Sequence, residues 1–258
     1  MTPRGRPAEV GCTVAAERTY QGVVVRRPAG RPEAAVLVLH GGSENGLRRP
    51  APLNAPSWRM RPFVRALDRA AGPRALLIAE ARYRHRGWNG ERADAARDAT
   101  AALAELSKLT GGVPTVLLGH SMGGRAALRA AGADDVAGVV ALAPWCPPGE
   151  PVDHLTGRRL VFVHARADRV TSPDGSLSMA GRARSAGAQV CRYELAGGDH
   201  AMLREASVWH SLTAESVGAL LGFAPLPAET AAAFALPAVS TEGLALPVRG
   251  TALRAAWT

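Results

Sequence analysis

Short apolar runs alternate with stretches whose apolar positions recur at helical spacing through most of the chain. "GVVVRR" from Gly22, "AAVLVLHGG" from Ala34 and "RALLIAEAR" from Arg74 predict strands, and a weaker strand over Val10 to Ala15 is expected to form an antiparallel pair with the first of them. "PTVLLG" from Pro114, "VAGVVALAP" from Val136, "RRLVFVHA" from Arg158 and "AQVCRYELA" from Ala188 continue the series. Helical spacing is read between them: from Trp58 with Phe63, Val64 and Leu67 on one face, from Glu91 to Leu109, from Ser121 to Ala131, across "DGSLSMAGRARSAG", and from His200 to Leu221. Gly72-Pro73 and Gly111-Gly112 stop the first two of these helices. Such alternation predicts an α/β fold, a mostly parallel doubly wound sheet with helices on both faces.

A chain of 258 residues with 47% hydrophobic content can bury one substantial core, so residues 1–221 are read as a single domain. From Gly222 the character changes. Residues 222–258 hold four prolines and few charges, which predicts an Ala/Pro-rich arm packed on or near the domain. The formal charge of +9 raises the question of an anionic partner, but Lys108 is the only lysine among 31 basic residues, and the arginines are interleaved with acids, as in "GERADAARDA". No basic run is interleaved with aromatics, so nucleic acid is not an expected partner. Cys12, Cys146 and Cys191 lie far apart and form neither a disulfide framework nor a metal-ligand spacing. With no apolar run of spanning length and no leader-like N-terminus, the chain is expected to be cytoplasmic.

The strand at Pro114 runs into Gly119-His120-Ser121-Met122-Gly123 and then a helix. A serine on such a sharp strand-to-helix turn takes strained backbone angles, and its neighbours two residues away must lack side chains. The turn lifts the hydroxyl above the sheet edge. A serine hydroxyl needs a histidine base and a carboxylate to orient that base. Asp168 follows the strand at Arg158, and His200 follows the strand at Ala188 in a Gly-Gly loop, so both fall at the same carboxyl edge in the order Ser, Asp, His. Asp153 is the rival acid, and Asp199 reads as a turn or cap residue. His40 and His120 read as structural hydrogen-bonders, and His85, His154, His164 and His210 have no assignable partner.

Through "HGG" at His40 to Gly42, "GHSMGG", "HARADRVTSP" and "GGDHAML", the chain resembles the α/β-hydrolase superfamily over roughly residues 20 to 221. Within it the sequence looks most like the small serine esterases of the dienelactone-hydrolase and cutinase-like type, although dienelactone hydrolases proper carry cysteine where Ser121 stands. The resemblance implies a cofactor-independent ester hydrolase without metal, acting on a small-molecule ester, with Ser121 as nucleophile, His200 as base and Asp168 as its partner. It also implies an oxyanion hole made by the Met122 N–H and an N–H from Gly42, with Ser43 in reserve. "ALAPW" resembles the stretch that places an aromatic in the acyl cleft, so Trp145, with Ser43, is expected to line the cleft and Trp88 is a weaker candidate. Only fourteen residues, Trp145 to Arg158, link the strand ending at Pro144 to the next, which leaves no room for a cap domain. An open cleft between loops 43–57 and 82–90 is expected, with Arg82, Arg84 and Arg86 read as a solvated surface or as a contact for a carboxylate or phosphate. Acyl transfer by the same residues, or a binding module retaining the fold, are the alternatives.

Overall fold

The computed structural model describes residues 21–51, 54–248 and Trp257. The predicted strand over Val10 to Ala15 lies outside the described residues. The chain order is β1 (Val23–Arg27), β2 (Ala34–Leu39), α1 (Ala55–Ala71), β3 (Leu76–Ala81), α2 (Asp94–Thr110), β4 (Thr115–His120), α3 (Met122–Ala130), β5 (Val136–Leu142), β6 (Arg159–Ala165), α4 (Pro173–Ser185), β7 (Gln189–Leu195), α5 (Ala206–Leu220), α6 (Ala228–Phe234) and β8 (Leu246–Pro247). Among the described residues eight strands form one sheet in the order β1-β3-β2-β4-β5-β6-β7-β8. Only β1 runs antiparallel, with Val23 opposite Ala81, and the remaining neighbours are parallel.

The two faces of the sheet follow from the period-2 alternation of buried strands. Ala35, Leu37 and Leu39 of β2 point into one apolar layer with α2, α3 and α4. Ala34, Val36 and Val38 point into the other, with α1 and α5. Every residue of β2, β3 and β4 is buried, which is why their sequences read as short, mostly apolar runs.

Three helix starts differ from the sequence expectation: α2 begins at Asp94 rather than Glu91, after a 3-10 turn at Gly90–Arg92, and α1 and α5 differ for the following local reasons. α1 begins at Ala55 rather than Trp58 because Asn54 caps it, its side chain accepting the Ser57 N–H at 2.8 Å, with proline in the first turn. α5 begins at Ala206 rather than His200. Asp199 Oδ1 accepts the N–H groups of Leu203 at 2.8 Å and Arg204 at 3.1 Å, and Glu205 stands in the left-handed region at φ 56°, so the chain completes a turn before the helix can start.

Beyond Leu221, α6 packs on β7 and β8 pairs with β7, Tyr193 lying opposite Leu246. Trp257 is buried in the α1–α5 layer, its backbone N–H on the Ala70 carbonyl at 3.1 Å and its indole N–H on the Ala214 carbonyl at 3.0 Å. No helix among the described residues is long and apolar enough to cross a membrane. The link from β5 to β6 holds only a short 3-10 turn at Asp153–Leu155, so no cap domain covers the carboxyl edge of the sheet.

Candidate active site

β4 hands over to α3 through Ser121, which stands at φ 55° and ψ −119°. The neighbouring glycines are required by contact rather than by their own torsions. A Cβ on Gly119 would strike the Gly123 carbonyl, and one on Gly123 would strike the Leu39 carbonyl. The strained residue is fixed from both sides: its N–H donates to Leu142 O at 3.0 Å, and its carbonyl accepts from the N–H groups of Arg125 at 3.2 Å and Trp145 at 3.1 Å.

The structure brings Ser121, Asp168 and His200 together. His200 Nε2 lies 3.1 Å from Ser121 Oγ, and His200 Nδ1 lies 2.7 Å from Asp168 Oδ2. Asp168 enters from the loop after β6, where its Oδ1 accepts the N–H groups of Val170 at 2.8 Å and Thr171 at 3.1 Å. Burial pushes the Asp168 carboxyl up, but hydrogen bonds from His164, His200 and the Val170 N–H, with the nearby His200 charge, outweigh it and hold the group well below the usual carboxylate range. Asp168 is thus an anion facing the Nδ1 edge of His200, which selects the tautomer with its free lone pair on Nε2, toward Ser121.

Sequence reasoning missed a second histidine on the same carboxylate. His164, fully buried at the end of β6, places Nε2 3.2 Å from Asp168 Oδ2 and Nδ1 2.8 Å from Ser176 Oγ. Thr171 Oγ1 adds a contact at 3.1 Å to the same Oδ2 and another at 3.2 Å to His200 Nδ1. The available signal was the four-residue spacing of "HARAD" across a strand end. The remaining histidines make backbone contacts or pack. His120 Nε2 lies 2.9 Å from the His200 carbonyl, tying the loop after β7 to the end of β4. His40 Nδ1 lies 2.7 Å from the Gly41 carbonyl. Asp153 is exposed on the β5–β6 link.

Gly42 and Met122 are neighbours. A Cβ on Gly42 would collide with the Met122 side chain and with the Arg86 carbonyl. The Ser43 N–H is already donated to that carbonyl at 3.0 Å, so of the two residues considered in this turn only Gly42 keeps an uncommitted amide among the described contacts. The loops after β2 and β3 are zipped together: Trp88 N–H donates to Ser43 O, Asn89 N–H to Glu44 O and Gly87 N–H to Gly46 O.

Ser43 is exposed in this wall, and Trp145 is half-buried one residue beyond β5's Ala143-Pro144 turn. Trp88 is buried. The Arg125 guanidinium lies against both indoles, 3.7 Å from the Trp88 ring and 4.4 Å from the Trp145 ring, and its charge is met by Glu150. Among the described residues no group of His, Cys, Asp or Glu is arranged to hold a metal ion.

Residues 36–255 match the model of the alpha/beta hydrolase family. No curated protein matches the chain by sequence. Solved structures share its fold at low identity. An alpha-beta serine hydrolase homologue from Coxiella burnetii is 16% identical, with a TM-score of 0.57 over 80% of this chain and 98% of that one. The butyrate-bound esterase Est2 of Thermogutta terrifontis is 17% identical, with a TM-score of 0.54 over 78% of this chain and 88% of that one. Est1E from Butyrivibrio proteoclasticus is 12% identical, with a TM-score of 0.54 over 78% and 94%. With the family matched from β2 to the C-terminal segment, the chain belongs to the alpha/beta hydrolase family.

Proposed function

We propose that the protein is a serine hydrolase that cleaves small carboxylic esters through an acyl-enzyme, in the manner of the small serine esterases. The observation that carries this reading is one imidazole, His200, spanning Ser121 Oγ and Asp168 Oδ2 at 3.1 Å and 2.7 Å. His200 Nε2 takes the Ser121 proton as Oγ attacks the ester carbonyl, and the Met122 and Gly42 N–H groups receive the developing oxyanion. The imidazolium then protonates the departing alcohol. In the second half the same nitrogen removes a proton from water, which releases the acid and frees Ser121. Asp168 stays ionised throughout, holding the Nδ1 proton and stabilising the imidazolium.

The surroundings suit an ester. Trp145 and Ser43 are proposed to line the cleft, and the exposed apolar side chains of Val170 and Leu203 stand on the loops that carry Asp168 and His200. Cys146 and Cys191 are buried and unpaired, consistent with a reduced, cytoplasmic setting.

The test is hydrolysis of short p-nitrophenyl esters by wild type and Ser121→Ala. The variant is expected to lose at least about ten-thousandfold in kcat/KM, and unchanged hydrolysis would sink the assignment. Labelling of Ser121 by a fluorophosphonate separates a working nucleophile from a retained binding fold. Product analysis with added alcohols or amines separates hydrolysis from acyl transfer.

A further inference from the structure

Beside the oxyanion turn, on its β3 side, lies a cavity of about 620 Å³ that contains neither Ser121 nor His200 in its lining. It opens at the same carboxyl edge of the sheet, between the ends of β1 and β3 and the start of α1. His40 lines it, and the next residue, Gly41, is so close to the nucleophile that a Cβ there would stand 3.4 Å from Ser121 Cβ. β2 is the one strand between β3 and β4, so the cavity and the nucleophile are about 10 Å apart at the usual strand spacing.

The lining is strongly basic. Arg26, Arg49, Arg82 and Arg84 face it against a single carboxylate, Glu80. Glu80 is engaged by Arg26, with Nε at 2.8 Å, and by the Ser57 hydroxyl. Arg84 Nε is held by Asp98 at 2.6 Å. Arg49 is exposed at the rim and has no acidic partner among the described residues. The N-terminus of α1 opens on the same space through Asn54 and Ser57, with no acidic residue in its first turn, and so adds positive potential.

Tyr83 also lines the cavity, its ring packed edge-on against His40 with 4.6 Å between centroids, while its hydroxyl is buried.

We propose that this cavity is a subsite for an anionic arm of the substrate, a carboxylate or a phosphate, so that the preferred esters carry negative charge about 10 Å from the scissile carbonyl. This rests on the ester-hydrolase reading above. At roughly 1.2 Å per bond the arm is on the order of eight atoms long. Arg49, exposed at the rim, meets its end.

The test compares mono-p-nitrophenyl suberate, and the same ester ending in a phosphate, with the neutral p-nitrophenyl methyl suberate. One charge-assisted contact predicts kcat/KM about tenfold or more higher for an acidic ester, falling as salt is added. The acid-to-neutral ratio is expected to drop several-fold in Arg49→Gln, an exposed position where folding is not at stake. Which acidic ester gains identifies the anion. Equal rates on all three, with turnover that depends on Ser121, overturn the subsite and leave the hydrolase reading standing. If none is cleaved, the hydrolase reading falls and the subsite is judged by calorimetric binding of suberate. Binding weakened by Arg49→Gln upholds the subsite, and no binding, or binding indifferent to Arg49, overturns it.

Discussion

Replacing Ser121 by glycine and by alanine should separate the strain of the turn from the chemistry of the hydroxyl. At φ 55° and ψ −119°, Ser121 occupies a region that an L side chain enters at a cost of about 1 to 3 kcal/mol. Alanine keeps the Cβ and therefore the strain. Glycine removes it but loosens the unfolded chain by about 0.4 to 1 kcal/mol. The difference leaves Ser121→Gly up to about 2.6 kcal/mol more stable than Ser121→Ala, about 1.3 kcal/mol at mid-range, or about 3 to 5 °C in Tm for a domain of this size. Both variants should be inert toward esters, so the comparison is free of any effect of turnover. Melting curves under identical conditions decide it. An alanine variant as stable as the glycine one, or more so, would mean that the backbone is not strained at this position and that the reading of the glycine pair around it is wrong.

Two further outcomes come from the groups around the base. Burial first, and the neighbouring His200 charge second, lower the His120 pKa from 6.5 to about 3. The unfolded chain therefore binds a proton there that the folded chain refuses, and this contribution to stability is full above about pH 6.5 and is lost as pH falls toward about 3. The depressed carboxyl of Asp168 acts in the same sense but only below its ordinary value of 3.8. Denaturant midpoints between pH 7 and 4 should fall in wild type and fall less steeply in His120→Asn, and parallel slopes would contradict the assignment. Replacing His164 by Phe removes a hydrogen bond to Asp168 and one to Ser176. It should cost about 1 to 3 kcal/mol of stability and, by loosening the carboxylate that orients His200, lower kcat with little change in KM. A stability loss with kcat unchanged would make His164 a packing residue only.

What the sequence made legible was whatever depends on neighbours along the chain. The central strands β2, β4 and β5 are buried almost throughout, so their sequences are nearly all apolar and need no knowledge of partners. The Gly119 and Gly123 positions are dictated by contacts within the turn and with β2 next door. Asp168 and His200 were found because a parallel sheet sends every strand's exit to the same edge. The parts that stayed hidden depend on pairings across the fold. Asp199 delays α5 by folding its carboxylate onto later N–H groups, which helical spacing alone does not reveal. His164 looks like any strand-end histidine until Asp168 and Ser176 are placed on either side of it. Arg84 was readable as a cleft-mouth contact, but Asp98 of α2, invisible as its partner from spacing, holds one of its nitrogens.

The same dependence explains how Ser121, itself buried, is held in a fixed place. The residues flanking Ser121 in sequence fasten it to the rest of the site, with His120 on the carbonyl of His200 and Met122 against Gly42. The Trp145 N–H on the Ser121 carbonyl adds the next strand's exit. Moving the Ser121 hydroxyl relative to His200 or Gly42 therefore requires moving β4 against β2 or β5, the central strands of the sheet, buried save for Ala137. Positional accuracy around Ser121 is supplied by the core, which leaves the loops after β2 and β3 free to vary the surroundings of the site.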